Sequence, residues 1–118
     1  MPEKSLKHEY DYSKYKLYKN NLKNSWNIKE RNFTERLLTF FNKSPKNKFI
    51  VEITNYGPLG FYNSWKNIIT INMNNPHPIS TIKHEMVHIM IEPFIKKYNI
   101  NQKQKEAIVD SLLTIIQK

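Results

Sequence analysis

The sequence predicts a single α+β domain in which two helices precede, and two helices follow, a small group of strands along the chain. Two segments near the middle of the chain, 48–53 and 68–73, are rich in the β-branched and aromatic residues that are typical of strands. The segments before and after them space their apolar residues as amphipathic helices do. Because 118 residues without a repeat or a recognisable linker suit one folding unit, we expect residues 1–118 to form one domain.

The N-terminal part of the chain is expected to contain two helices. Residues 1–11 are mostly polar and are expected to be poorly ordered. Segment 12–23 carries aromatic and apolar residues at helical spacing, which predicts the first helix. Residues 27–30 resemble a capping box, which predicts that the second helix begins there and runs to about Asn42, before a break at Ser44-Pro45.

Three short strands are expected after these helices. The segments 48–53 and 68–73 are the two clear strands, and 59–63 is a candidate for a short edge strand between them. Turn-forming residues at 55–58 and 64–67 separate the three segments. The pattern therefore predicts a small sheet ahead of the C-terminal part of the chain.

Residues 84–88 read His-Glu-Met-Val-His, which is the H-E-x-x-H pattern of zinc-dependent hydrolases. On a helix, His84 and His88 would lie about 40° apart on one face, so both imidazoles can bind one metal ion. The carboxylate of Glu85, beside the first histidine, can poise a water molecule on that metal. Shuffled chains of this composition should contain the pattern in roughly 1 % of cases, so we interpret it as a metal site rather than as two incidental surface histidines.

The helix that carries this motif is predicted to bury its other side. A loop at 75–78 precedes it, Ser80 or a neighbour is expected to cap it, and Pro93 is expected to end or kink it. Five apolar residues fall within about a 100° arc, roughly opposite the histidines: Ile79, Ile82, Met86, Ile89 and Met90. This pattern predicts a helix whose back packs on a core and whose front lines a cleft.

A catalytic zinc site usually has three protein ligands. The candidates for the third ligand lie C-terminal to His88. Glu92, one turn further on, is awkward because it drifts around the helix and precedes a proline. A second helix is predicted at 102–117, capped by Asn101, with Glu106 and Asp110 at the edge of its apolar stripe. A metal ion would give Glu106 a partner, and the second ring nitrogen of a ligand histidine would give Asp110 one. The alternative is that Glu106 and Asp110 are two solvated acidic side chains on an amphipathic helix and take no part in a metal site.

The H-E-x-x-H motif, followed on a second helix by the E-x-x-x-D motif at 106–110, resembles the gluzincin metallopeptidases. The length of the chain is similar to that of their smallest members, the minigluzincins. The resemblance implies three zinc ligands, namely His84, His88 and Glu106. It also implies that Glu85 is the general base and acid. Asp110 is implied to orient a ligand histidine without binding the metal itself. Two histidines and a carboxylate favour one Zn²⁺ per chain, although other divalent metals use the same ligands.

The same resemblance implies a small twisted sheet whose outer strand borders the cleft and binds substrate by strand addition. Asn63 is loosely similar to the asparagine of the substrate-binding segment in that family. Larger gluzincins place a His or Tyr beyond the glutamate helix to assist the oxyanion, but none follows Tyr98 here. That role is unfilled, or it falls to Tyr56, Tyr62 or Tyr98. Small family members can be latent, which implies self-inhibition or self-association through the cleft.

Composition limits the other functions of the chain. The net charge is +9, and residues 1–48 hold 12 of the 19 Lys and Arg residues but only 5 of the 10 Asp and Glu residues. Only two basic residues are Arg, so we interpret this half as a solvated lysine-rich surface, with nucleic-acid binding as an open alternative. The absence of cysteine excludes disulfides. With no apolar leader and no apolar stretch of about 20 residues, a cytoplasmic protein without a membrane partner is expected.

These observations predict a zinc-dependent endopeptidase that acts on peptides or unfolded proteins, with Glu85 as general base and acid. The alternative is a zinc-containing regulatory or binding protein with little or no peptidase activity, for which association with DNA is one option. Hydrolysis of an unstructured protein, stopped by a chelator and restored by zinc, would distinguish the two.

Overall fold

The computed structural model describes residues 2–30, 32–44 and 46–117. The described residues form helices and strands in the order that the sequence predicts, which confirms the α+β class. In chain order the elements are α1 (Pro2–Lys29), α2 (Phe33–Phe40), β1 (Ile50–Thr54), β2 (Gly60–Asn63), β3 (Ile68–Asn72), α3 (Pro78–Lys97) and α4 (Gln102–Gln117). Within the described ranges, no helix is both long enough and apolar enough to cross a membrane.

The boundary between the first two helices differs from the prediction. Residues 27–29 form the last turn of α1, and α2 begins only at Phe33. The predicted start at the capping box is therefore wrong. The reason is a tertiary contact, because the carboxylate of Glu30 pairs with the ammonium of Lys83 on α3 instead of capping a helix.

The outer bounds of α1 and α2 also differ in part from the prediction. α1 begins at Pro2 and contains the whole predicted helix 12–23, while the expected poor order of residues 1–11 stays a prediction. α2 ends at Phe40, earlier than predicted, and Pro45 of the expected break lies outside the described residues.

The three strands form one sheet in the order β1–β3–β2. β1 runs parallel to β3, with Ile53 opposite Ile71, and β2 runs antiparallel to β3, with Tyr62 opposite Ile69. The predicted edge position of the second strand is therefore confirmed. Ile69 and Ile71 of the central strand are fully buried, so β3 anchors the sheet in the core and leaves β2 at one edge.

The edge strand β2 lies directly against α3. A side chain at Gly60 would collide with the Cγ2 atom of Thr81, one turn into the helix. Because side chains alternate along a strand, Gly60 and Tyr62 point toward α3, whereas Phe61 and Asn63 are exposed. This close approach puts the edge of the sheet beside the helix that carries the H-E-x-x-H motif.

The core joins the back of α3 to the sheet and to the other helices. The predicted apolar side of α3 is buried, and Ile82, Met86 and Ile89 are each at most 6 % exposed. They belong to one cluster that also contains Phe33 and Leu37 of α2, Ile69 and Ile71 of β3, and Val109 and Ile116 of α4. Full burial of such side chains contributes roughly 1.5–3 kcal/mol each, so this cluster fixes the position of α3 and of the motif that it carries.

The first turn of α3 is built differently from the prediction. His77, not Ser80, is the N-cap, and its side chain makes no capping hydrogen bond. Pro78 occupies the first helical position, where its missing N–H costs nothing. The side chain of Asn75 holds the preceding loop, because its Oδ1 accepts the N–H of His77 and its Nδ2 donates to Thr81 Oγ1.

α3 continues through Pro93 to Lys97, so this proline does not end the helix, while the alternative of a kink there stays a prediction. Pro93 removes one N–H from the helix, but Ile95 beyond it packs against the core and retains the helical turn. The helix ends instead at Lys97, and Asn99, two residues further on, adopts a left-handed conformation with φ 52°. The N–H of Ile100 then donates to the carbonyl of Ile95 at 3.1 Å, which is a Schellman-type ending.

α4 begins and ends where the sequence predicts. The Oδ1 atom of Asn101 accepts the N–H of Gln104 at 2.8 Å, and Gln104 Oε1 accepts the N–H of Asn101 at 3.3 Å. This reciprocal pair forms a capping box and confirms Asn101 as the cap. Because only a short turn connects α3 to α4, the start of α4 packs beside the end of α3.

Candidate metal centre

The three side chains predicted to bind a metal lie together on two helices. His84 and His88 are one turn apart on α3, and their Nε2 atoms are 3.0 Å apart. Glu106 reaches them from α4, with Oε2 at 3.3 Å from His84 Nε2 and Oε1 at 3.3 Å from His88 Nε2. The short connection between the helices therefore brings a carboxylate 18 residues away in sequence onto the motif.

These distances fit a metal site. A tetrahedral zinc ion with ligand bonds of about 2.0–2.1 Å has ligand atoms about 3.3 Å apart. The potential ligand atoms of the three residues all lie within 4.8 Å of one another, and their closest approaches are near that edge length. Hydrogen bonds between the imidazoles and an ion pair with the carboxylate also give such distances. Two imidazoles and one carboxylate could hold Zn²⁺ or another divalent cation.

The candidate site is open on one side. The side chain of His88 is 4 % exposed, whereas those of His84 and Glu106 are 31 % and 41 % exposed. Structural zinc sites are usually closed by four protein ligands, and catalytic sites keep one position for water or substrate. Within the described ranges, the only group of three or more suitable side chains is this one, and its open side leaves room for a further ligand.

Glu85 lies between the two histidines in sequence and is buried. Burial raises the pKa of its carboxyl above the ordinary value, and the nearby carboxylate of Glu106 raises it further, while His84 and Lys105 oppose the shift. No hydrogen bond or ion pair of this carboxylate is found among the described residues. Partial burial therefore lets this carboxylate take up a proton at higher pH than an exposed glutamate does, which is the direction that general acid–base catalysis requires.

The surroundings of His88 favour the neutral form of its imidazole. Burial lowers the pKa of its imidazole and the adjacent His84 lowers it further, although Glu106 acts in the opposite direction. A neutral imidazole is the form that binds a metal. Its other ring nitrogen, Nδ1, is buried and has no hydrogen-bond partner in the described part of the chain.

The structure does not bring Asp110 to either histidine. Its side chain is exposed, and the described residues include no hydrogen-bond or ion-pair partner for its carboxylate. The adjacent Val109 is the fully buried residue of this turn, and one residue of helix rotates Asp110 by about 100° away from it. The predicted hydrogen bond from a ligand histidine to Asp110 is therefore not formed here.

Tyr62 of β2 is a neighbour of the site that the motifs do not contain. Its ring is stacked on that of His88, with centroids 5.3 Å apart and an angle of 11° between the planes. Its hydroxyl donates to Glu92 Oε2 at 3.0 Å and accepts from Lys105 Nζ at 2.7 Å. Burial raises the pKa of this phenol; the hydrogen bond from Lys105 lowers it, and that to Glu92 raises it.

The same contacts hold the side chain of Glu92, which was the less suitable candidate for the third ligand, away from the candidate metal-binding group. Its carboxylate binds Tyr62 and lies 3.9 Å from Lys105 Nζ, and it does not belong to the metal-binding group. Burial alone would lower the pKa of Lys105, but the hydrogen bond to Tyr62 and the charges of Glu92 and Glu106 outweigh it and raise that pKa. Lys105 therefore remains a cation beside the site.

Asn63, the predicted substrate-binding residue, ends β2 and is exposed. Its Oδ1 atom accepts the N–H of Trp65 at 3.1 Å, so it stabilises the turn between β2 and β3. Of the three tyrosines considered for the oxyanion, Tyr62 stacks on His88, while Tyr56 and Tyr98 are exposed. Alternation along β2 could have placed Tyr62 on the helix side of the strand, but its contacts with two helices required the tertiary structure.

Comparison with known proteins finds no family model, curated protein or solved structure that matches this chain. The resemblance to gluzincins consequently rests on the two sequence motifs, and the site is interpreted from its own geometry.

Proposed function

We propose that this protein is a zinc-dependent peptidase whose metal ligands are His84, His88 and Glu106. The observation that carries the proposal is the convergence of two motif histidines and a carboxylate from a second helix, all within 4.8 Å. Accidental acidic neighbours are common on protein surfaces. Here, however, the carboxylate approaches both Nε2 atoms at 3.3 Å and comes from the position that the sequence motifs indicate.

The nature of the ligands supports hydrolysis rather than redox chemistry or electron transfer. When bound, zinc lowers the pKa of a water molecule toward neutrality and polarises a substrate carbonyl. The open side of the site, next to the partly exposed His84 and Glu106, would admit both water and substrate.

Glu85 is the proposed general base and acid. Its carboxylate would accept a proton from the attacking water and deliver that proton to the nitrogen of the leaving amine. The supporting observation is its burial, which raises the pKa of the carboxyl and so brings proton uptake and release closer to neutral pH.

The proposed substrate is an extended peptide or an unfolded protein. β2 is an edge strand that pairs only with β3 in the described sheet, and it lies against α3 at Gly60. A peptide that adds to the free side of this strand would form backbone hydrogen bonds and pass beside the motif. The same edge could receive a second copy of the chain, which would give a latent enzyme.

A regulatory or binding protein with a purely structural zinc ion is the alternative. Such a role favours four protein ligands and a closed site, whereas this group has three candidate ligands and two partly exposed side chains. These observations favour the peptidase.

The first experiment is to measure bound metal by native mass spectrometry for the wild type and for Glu106→Ala. We expect one zinc ion per wild-type chain and a loss in the variant, with Glu52→Ala on exposed β1 as the matched control. The same samples would be incubated with a fluorescent, unstructured protein. Zinc-dependent cleavage supports the peptidase; a stable zinc ion without any cleavage would favour the binding protein, and failure to bind zinc would exclude both.

A further inference from the structure

The imidazole of His88 lacks the restraint that metal-binding histidines usually have. In most sites, the ring nitrogen that does not bind the metal donates to a carboxylate or a carbonyl, which fixes the plane of the ring. Nδ1 of His88 is buried without a partner among the described residues, and Asp110 is exposed. Another contact must therefore orient this ring.

The ring of Tyr62 supplies such a contact. It lies nearly parallel to the imidazole, at 11° between planes and 5.3 Å between centroids. A stacked neighbour opposes rotation of the imidazole about its Cβ–Cγ bond, because rotation would drive the ring edge into the aromatic face. The stack can thus fix the plane of His88 without using Nδ1.

Tyr62 is itself fixed at its hydroxyl by two charged side chains. It donates to Glu92 Oε2 at 3.0 Å and accepts from Lys105 Nζ at 2.7 Å. Hydrogen bonds to charged groups are stronger than neutral ones, and both charged side chains are partly buried. We call these three residues the Tyr62–Glu92–Lys105 cluster.

The cluster also restrains the third metal-binding side chain. Lys105 precedes Glu106 on α4, and its ammonium is tied to a residue of β2 and lies 3.9 Å from Glu92 of α3. This attachment fixes the rotation of α4 at the turn from which Glu106 extends. One polar cluster therefore connects β2, α3 and α4 beside the proposed metal ligands.

We propose that Tyr62 and Lys105 are positioning residues of the metal centre, Tyr62 through the ring of His88 and Lys105 through the carboxylate of Glu106. This inference rests on the proposed metal centre and adds to it two residues that lie outside both sequence motifs. The cluster takes the place of a hydrogen bond to the second nitrogen of His88.

The test compares zinc dissociation constants, measured by competition with a chromogenic chelator. Tyr62→Leu removes the ring and Lys105→Met removes the charge, and each should weaken zinc binding roughly 10- to 100-fold. Tyr62→Phe keeps the stack and should lose less affinity than Tyr62→Leu, and Lys105→Arg should restore part of the loss in Lys105→Met. The exposed Tyr56→Leu and Lys103→Met are the matched controls and should bind like the wild type.

Two further readouts separate positioning from a general loss of stability. The visible spectrum of the cobalt-substituted protein reports the geometry of the ligands, and it should change in Tyr62→Leu and Lys105→Met but not in the controls. In the metal-free protein, NMR should show ring-current shifts of the His88 ring protons that persist in Tyr62→Phe and vanish in Tyr62→Leu. If Tyr62→Leu does not fold, Tyr62→Phe and Lys105→Met still provide the comparison.

The outcomes distinguish this inference from the proposed function. Zinc binding by the wild type, together with unchanged affinity and an unchanged cobalt spectrum in both Tyr62→Leu and Lys105→Met, would overturn the positioning roles and leave the metal centre intact. A wild-type protein that binds no zinc would overturn the metal centre and the positioning roles together.

Discussion

Glu30, just beyond the end of α1, forms an ion pair with Lys83, the residue immediately before His84 on α3. Both side chains are mostly buried, at 17 % and 10 % exposed, and the ammonium of Lys83 also lies 5.2 Å from the centre of the Phe33 ring. This contact attaches the N-terminal helices to α3 at the residue that precedes the H-E-x-x-H motif.

Removal of one partner of this pair should destabilise the fold. A buried charge without its partner costs about 3–5 kcal/mol, whereas replacement of both charges by apolar residues is often neutral or stabilising. We therefore expect Lys83→Met to lower the free energy of unfolding by an amount in that range, reduced by the residual exposure of the pair. Adding Glu30→Leu should recover most of the loss. Chemical denaturation of the two single variants and the double variant measures this, and additive losses would contradict a coupled pair.

The Glu30–Lys83 pair also shows why part of the fold could not be predicted from the sequence. A capping box is a local pattern, and the sequence around Glu30 contains one, but the carboxylate binds a residue more than 50 positions away. Pro93 is a similar case, because contacts of the following Ile95 with the core retain the helix beyond it. In both cases a local sequence pattern gave a wrong helix boundary, because a contact with a distant part of the chain determined where the helix begins or ends.

The residues of the candidate site also differ in whether local sequence patterns could predict their positions. The clustering of His84, His88 and Glu106 was predictable because helical spacing and the local capping box at Asn101 determine the positions of these side chains. The contacts of Tyr62 and Lys105 were not predictable, because they join β2, α3 and α4. The sequence offered Tyr62 only as one of three tyrosines that could assist the oxyanion. Asp110 was predicted from its place at the edge of the apolar stripe and from the family resemblance, and the structure leaves it exposed.

Glu85→Gln should separate metal binding from catalysis. The amide has nearly the shape of the carboxylate but cannot accept a proton, and a positioned general base contributes roughly 10²- to 10⁴-fold to the rate. We expect a loss of kcat in that range with one zinc ion still bound. Steady-state cleavage of a fluorogenic peptide, with metal content measured on the same sample, tests this. Glu52→Gln on β1 is the control, and wild-type kcat in Glu85→Gln would rule out the assigned role.

Asp110→Asn should leave zinc binding within a few-fold of the wild type. The side chain is exposed and contacts neither histidine, so removal of its charge changes only a solvated group. Glu106→Gln on the same helix should weaken binding by more than about 100-fold, beyond the range for residues that merely support a ligand. Chelator competition measures both variants. A 10-fold or larger loss in Asp110→Asn would show that Asp110 supports a ligand as the family resemblance implies.

Zinc should stabilise the folded protein. At a free concentration about 100 times its dissociation constant, a ligand that binds only the folded state adds about 2.7 kcal/mol, which corresponds to a rise in Tm on the order of 10 °C for a domain of this size. Thermal unfolding with zinc and with a chelator measures the shift. His88→Ala should abolish it and the exposed His77→Ala should keep it; an equal shift in both variants would place the bound zinc elsewhere.

Gly60 should tolerate no side chain while Thr81 is present. A Cβ atom at this position would overlap Thr81 Cγ2, and a β-branched side chain has little freedom to move aside. We expect Gly60→Ala to destabilise the protein by about 1–3 kcal/mol, as overpacking commonly does. Thr81→Ser removes the colliding methyl group but keeps the hydroxyl that binds Asn75 and the carbonyl of His77. It should therefore restore stability in the double variant. Urea unfolding of all four proteins gives the coupling energy, and a coupling near zero would mean that β2 and α3 separate readily, which would also weaken the proposal that substrate binds along this edge beside the motif.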